Sequence, residues 1–223
     1  MELYDPDNPE NNRELNVSLF QSRYDHTSVV LPDGSVFTLG GQTPQNLYYP
    51  RDTEKLVESY HPHTGKISLA PDLNTWRTPK PGTSVLNEMV YICGGRGSPK
   101  TCERFNGTHW QYVASMNEPR YEFAMTVLNG SLYAVGGTKY IGGPVELKSC
   151  EKYDPVANVW SDVAEMNEID RSGRVMLVAV RKRLIAVHSQ VVEQYDLEKN
   201  VWSVLPNRTI VDRHRASAVL ITV

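Results

Sequence analysis

Residues 128–137 read LNGSLYAVGG, an apolar end, an Asn-Gly-Ser turn, an alternating apolar run and two glycines. Asn-Gly between alternating apolar segments is the strongest short hairpin signal a sequence carries. The same phrase recurs along the chain. SVFTLGG occupies 35–41, MVYICGG 89–95 and LIAVHS 184–189, so that His188-Ser189 stands where the other copies have Gly-Gly. An apolar strand precedes each, HTSVVL, GTSVL, FAMTVL and RVMLVAV, joined through PDG, NE, NG and RKR.

A third strand follows each copy and ends in an aromatic: KLVESYHP, KTCERFNG, KSCEKYDP and QVVEQYDL. A fourth comes after a short turn: GKISLAPDLN, THWQYVASMN, NVWSDVAEMN and NVWSVLPN. Period-2 alternation with Gly, Pro and Asn punctuation predicts strands throughout, and no amphipathic helical period competes. The unit is therefore four short antiparallel strands, A to D, repeating every 42–54 residues.

Gly-Gly after an apolar strand, Tyr-Asp-Pro, and Trp about six residues before Met-Asn resemble the kelch repeat of β-propellers, a repeat of about 50 residues. CEKYDPVANVWSDVAEMN, residues 150–167, is a close match. The resemblance implies an all-β, kelch-type β-propeller of about four full four-stranded blades. The repeats span 26–76, 77–119, 120–170 and 171–212, with a partial blade from 1–25 and 213–223 in a single domain over 1–223. MELYDP at the start matches strand C, VSLF is the expected strand D, and RASAVLITV at the end matches strand A. Because strand B of that blade is missing, the chain reads either as an atypical five-bladed ring or, the favoured expectation, as a piece of a larger one. Ile67 takes the Trp place in the first repeat, and Trp76 falls out of register.

The formal net charge of −3 gives no bulk attraction to nucleic acid or anionic membrane. No run of 18 apolar residues occurs, and the polar N-terminus has no signal-peptide core. The expected location is the cytoplasm or nucleus. Cys93, Cys102 and Cys150 are odd in number and fit no zinc spacing, which argues against a disulfide framework. Cys102 and Cys150 share one strand-C place with Val57 and Val192, so buried, inert thiols are expected. The sequons at Asn16, Asn106, Asn129 and Asn207 read as turns or unmodified sites.

Antiparallel order puts the D–A and B–C connections on one face. Counted along the chain, those segments hold 15 Lys/Arg and 9 Asp/Glu, while the whole chain is net acidic. A basic face favours an acidic protein segment. Each D–A segment carries arginine: Arg23, Arg77, Arg120, Arg171 with Arg174, and Arg213 with Arg215. One expectation is a guanidinium ring around the central pocket. The competing one pairs these arginines with the Glu of each strand C, namely Glu2, Glu58, Glu103, Glu151 and Glu193. The irregular B–C loops supply the specificity candidates Tyr48, Tyr49, Arg51, Arg96, Lys139 and Tyr140.

In kelch substrate adaptors of cullin-RING ubiquitin ligases, Arg and Ser beginning the inner strands contact acidic peptides. Arg171, Ser172 and Arg174 are similar to that pattern; Arg120 and Arg213 match the Arg only, being followed by Tyr121 and His214. The resemblance thus implies a non-enzymatic protein-binding module with no cofactor and no metal. Those adaptors also carry BTB and BACK regions, which do not occur in these 223 residues. An actin-associated scaffold and a kelch-fold copper oxidase or sugar epimerase are the alternatives. For an enzyme, His61-x-His63 lies in a turn, and His26, His188 and His214 are scattered. No phosphate loop, nucleophile elbow or carboxylate pair stands out.

Overall fold

The computed structural model describes residues 2–3, 13–14, 18–42, 54–168, 175–188 and 191–206. Near the N-terminus, β1 (Glu2–Leu3) pairs antiparallel with β2 (Arg13–Glu14). The partner strand is therefore at 13–14 rather than in VSLF, whose residues 18–20 form no strand. The first blade holds β3 (Thr27–Val30), β4 (Val36–Leu39), β5 (Val57–His61) and β6 (Lys66–Ala70). The second holds β7 (Gly82–Leu86), β8 (Met89–Cys93), β9 (Cys102–Phe105) and β10 (Trp110–Val113). In the third, β11 (Ala124–Leu128) and β12 (Ser131–Val135) are followed by an extra hairpin, β13 (Thr138–Tyr140) with β14 (Pro144–Glu146), before β15 (Cys150–Asp154) and β16 (Val159–Val163). The fourth holds β17 (Met176–Val180), β18 (Arg183–His188), β19 (Val191–Asp196) and β20 (Val201–Val204). Each blade is an antiparallel meander with its strands in chain order. The A–B turns use left-handed backbone, at Asn87 and Glu88 and at Asn129 and Gly130, as two-residue hairpins of this twist require.

Blades pack face to face, and alternate residues of each strand B supply the two faces. Phe37, Leu39 and Val57 of the first blade meet Val90, Ile92, Phe105 and Trp110 of the second. Tyr91, Cys93 and Cys102 meet Leu132, Ala134, Tyr153 and Trp160 of the third. Tyr133, Val135 and Cys150 meet Leu184, Ala186, Tyr195 and Trp202 of the fourth. Each strand-D Trp stacks on the aromatic opposite it, with ring centroids 5.2–5.3 Å apart. Its indole N–H donates back to the preceding blade: Trp110 to Pro71 O, Trp160 to Ala114 O and Trp202 to Ala164 O, at 2.9–3.0 Å. Ile67, opposite Tyr60, offers no such donor.

The cysteine expectation is corrected. Cys93 ends strand B, Cys102 begins strand C, and the two face each other across the ladder with Cα atoms 4.1 Å apart, joined as a disulfide. Comparing Cys102 with Val57 and Val192 aligned it between blades but overlooked the residue opposite it within its own blade. Cys150 is a free, buried thiol, and burial pushes its pKa up to about 12.

Tyr133 is 1% exposed, and its hydroxyl has no hydrogen-bond partner. A buried hydroxyl without a partner retains its desolvation cost. We expect Tyr133→Phe to leave the denaturant midpoint unchanged or raise stability by up to about 1 kcal/mol. A loss above about 1 kcal/mol would show that the hydroxyl has a bonding role.

Candidate functional site: the face of the interblade segments

The D–A segments enter each blade through one repeated arrangement. In the third blade, Glu151 accepts from the amides of Asn117 and Glu118 at 2.6 and 3.1 Å. Arg120 then donates Nε and Nη2 to Glu151 at 3.1 and 3.0 Å, and Nη1 to the carbonyls of Gly136 and Ser149, both at 2.8 Å. Its Nη2 also donates to Ser149 Oγ at 2.9 Å. The second blade repeats this with the amides of Asn74 and Thr75, Arg77, Glu103, Gly94 and Thr101. The first uses Phe20, Gln21, Arg23, Glu58, Gly40 and Leu56. The planar guanidinium suits this because it presents several donors in a fixed fork.

These contacts correct the guanidinium-ring expectation for the described arginines. Arg77 and Arg120 are 0% exposed, and the Arg23 side chain is 1% exposed. Their charges are spent on Glu103, Glu151 and Glu58, so they are latches of the fold and leave the contact set.

Backbone links join neighbouring segments. Lys80 N donates to Asp25 O at 3.0 Å, and Glu122 N to Lys80 O at 3.1 Å. All three residues are left-handed, with φ of 54°, 40° and 55°, which side chains resist and only surrounding contacts sustain. Tyr24 and Tyr121, each following a latch arginine, form paired backbone bonds with Gln42 and Thr138 at 2.8 and 2.9 Å.

Among the described residues, an exposed Arg–Tyr pair on this face lies on the second and third blades. Arg96 is exposed, and its guanidinium carbon sits 5.2 Å from the centre of the Tyr140 ring. The short loop carrying it is tied down: Arg96 N donates to Thr78 O at 2.7 Å, and a methyl at Gly97 would lie 2.3 Å from the Trp76 ring. Trp76, out of register in the sequence, thus fills the space beside this loop. Tyr121 lies half-buried nearby; burial raises its hydroxyl pKa, with Arg96 pulling the other way. Tyr140, Ile141 and Val145 of the β13–β14 hairpin are 56%, 67% and 40% exposed.

Lys139 points elsewhere. It donates to Glu118, which also accepts from Ser149 and pairs with Arg120. Burial pushes the Glu118 carboxyl up, but these donors outweigh it and hold it below the ordinary range. Lys139 therefore braces the hairpin. Ile141, Val145 and Tyr24 were missed as surface candidates. Two three-residue runs around Gly142-Gly143 in TKYIGGPVELK were the available signal for the hairpin. Tyr48, Tyr49, Arg51, Arg171, Ser172, Arg174, Arg213 and His214 lie outside the described residues, as does the expected terminal strand at 213–223.

Among the described residues no group of three or more His, Cys, Asp or Glu is arranged to hold a metal ion, and no helix is long and apolar enough to cross a membrane. His61 Nε2 is shared between Ser59 and Ser68, at 3.3 and 3.2 Å. Burial and the Arg23 charge hold the His26 ring below the usual imidazole range.

Four-stranded meanders packed face to face, each latched by the segment before it, define a blade-built β-propeller. The family model of the kelch motif matches residues 119–167, which run from the third latch through its strand D. That stretch is a kelch motif, and it forms the third of four four-stranded blades. It is 28% identical over 155 residues to Kelch-like protein 35 of Mus musculus, covering 66% of this chain and 26% of that protein. It is 30% identical over 154 residues to Kelch-like protein 23 of Pongo abelii, covering 66% and 25%. With Kelch repeat and BTB domain-containing protein 13 of Homo sapiens it shares 37% identity over 92 residues, covering 38% and 19%. The matched stretches thus span about a quarter or less of these relatives.

Proposed function

We propose that this chain is a non-catalytic protein-interaction module that holds a peptide or loop of a partner on the face of the D–A and B–C connections. The observation that carries this is the Arg96–Tyr140 stack beside Tyr121, with Ile141 exposed at the hairpin tip. Tyr and Arg are the residues that most often anchor interfaces. Arg96 and Lys100, both exposed on one short loop, favour an acidic partner segment. Arg171, Ser172, Arg174, Arg213 and His214 stay in the proposal on sequence register, as do Tyr48, Tyr49 and Arg51. The pairing of kelch repeats with a BTB domain in the name of one relative supports substrate recognition for a ubiquitin ligase as the setting.

The test compares partners bound by the chain with those bound by Arg96→Ala/Tyr140→Ala. The control is Leu69→Ala, a 60% exposed position on strand D of the first blade. Both variants should keep stability within about 0.5 kcal/mol. The double variant should weaken binding of an acidic partner peptide at least about tenfold. Equal binding by all three proteins would place the interface elsewhere.

A further inference from the structure

On the face opposite the Arg96–Tyr140 stack, the A–B and C–D turns of the fourth blade border a recess of about 450 Å³. Three consecutive cations line it: Arg181, Lys182 and Arg183 of the A–B turn. Asn129, from the A–B turn of the third blade, stands beside them, as do Asp196 and Glu198 from the C–D turn of the fourth.

This turn departs from its sisters in composition and in backbone. The other A–B turns are Pro32-Asp33-Gly34, Asn87-Glu88 and Asn129-Gly130, and none of them holds a cation. The inner ladders end at Leu86↔Met89, Leu128↔Ser131 and Val180↔Arg183, so Arg181 takes the place of Asn87 and Asn129. All three are left-handed, with φ of 50°, 49° and 55° for Asn87, Asn129 and Arg181. Asparagine adopts that conformation far more readily than a long side chain does. Arginine there holds strain that the sister turns relieve, and such strain points to a use other than folding. Asp196 lies opposite Arg183 in the ladder, but its Oδ1 accepts instead from the amides of Glu198 and Lys199 at 3.0 and 3.1 Å. Among the described residues none of the three cations has an ion-pair partner.

The lining selects the ligand. A phosphomonoester brings about two negative charges and three strong acceptor oxygens, a better match to three adjacent cations than one carboxylate. Asp196 and Glu198 repel a polyanion such as a nucleic-acid strand or an anionic membrane. They accept instead from ammonium or hydroxyl groups flanking a single phosphate. Asn129, Arg181, Lys182, Arg183 and Glu198 are all exposed. A recess so open does not engulf a small molecule as small-molecule pockets do, but it admits a side chain presented by a longer chain. We infer that this recess is a second docking site, in which Arg181, Lys182 and Arg183 hold a phosphorylated serine or threonine of a partner protein.

Amide NMR shifts of the isotope-labelled full chain test this. The probe is the peptide Gly-Lys-Ser-Lys-Gly phosphorylated on its serine, beside the unphosphorylated peptide and inorganic phosphate. The phosphopeptide should move the amides of Asn129, Arg181, Lys182 and Arg183 to saturation. Its affinity should fall at least about tenfold in Arg181→Asn, through loss of charge-assisted hydrogen bonds. That variant restores the residue of the sister turns, so its denaturant midpoint should equal or exceed that of the original chain. A lowered midpoint would make Arg181 architectural and overturn the inference. So would the absence of a saturable shift, equal shifts with the unphosphorylated peptide, inorganic phosphate binding as tightly as the phosphopeptide, or unchanged phosphopeptide affinity in Arg181→Asn.

Discussion

Truncating Arg120 to alanine should lower folding stability by about 3–5 kcal/mol, read as a shift in denaturant midpoint with little change in slope. The side chain is 0% exposed and makes five hydrogen bonds, to Glu151, Ser149 and Gly136. Removing it strands the Glu151 carboxylate in the interior with only two backbone amides, and takes a donor from the Gly136 and Ser149 carbonyls, of which Ser149 O keeps Gly136 N. An unpaired buried charge is the costly outcome, more so than the loss of the pair itself. Glu151→Gln should also destabilise, because Asn117 N bonds Oε2 while Glu118 N and Arg120 bond Oε1, and an amide NH2 in either place would face a donor. A loss below about 1 kcal/mol for Arg120→Ala would mean that water reaches the site and the latch is not structural. Domain stabilities commonly total about 5–15 kcal/mol, so this one change can decide whether the chain folds.

The second large effect falls on a residue with no side chain. Gly94→Ala should cost about 3 kcal/mol or more, and Gly130→Ala only about 1 kcal/mol. Both positions are left-handed, with φ of 68° and 73°, so the conformational penalty is shared. They differ in surroundings. A methyl at Gly94 would lie 2.4 Å from Arg120 O and 2.7 Å from the Phe123 ring, whereas nothing lies within 4 Å of one at Gly130. Thermal melts of the two variants check the difference. Equal losses would show that the second blade's loop does not bear on the segment carrying Arg120.

The blades were legible in the sequence because their causes are local. Alternation, Asn-Gly turns and the aromatic at the end of each strand C act over a few residues, and repetition in register multiplies the signal. Pairing of the D–A arginines with the strand-C Glu was visible as one of two expectations. Recurrence alone could not choose, since a repeated Arg suits a ring of contacts as well as a repeated latch; burial to 0% at Arg77 and Arg120 chooses. The Arg96–Tyr140 stack joins loops of different blades, a distance that no spacing rule spans. The Cys93–Cys102 disulfide was hidden by comparing like positions between repeats and not opposed positions within one.

The latches also decide where one module ends and the next begins. The amides that cap Glu103 belong to Asn74 and Thr75, and those that cap Glu151 to Asn117 and Glu118. A blade cut at the first residue of its inner strand would leave its own buried carboxylate uncapped and give its fastening to the fragment before it. A blade cut at Asn74, Asn117 or Asn167 carries its caps along. The transferable unit for grafting or shuffling is thus a sheet with the short segment that precedes it, and a tag is better placed at Val156, 94% exposed in a C–D turn, than anywhere between Asn117 and Arg120.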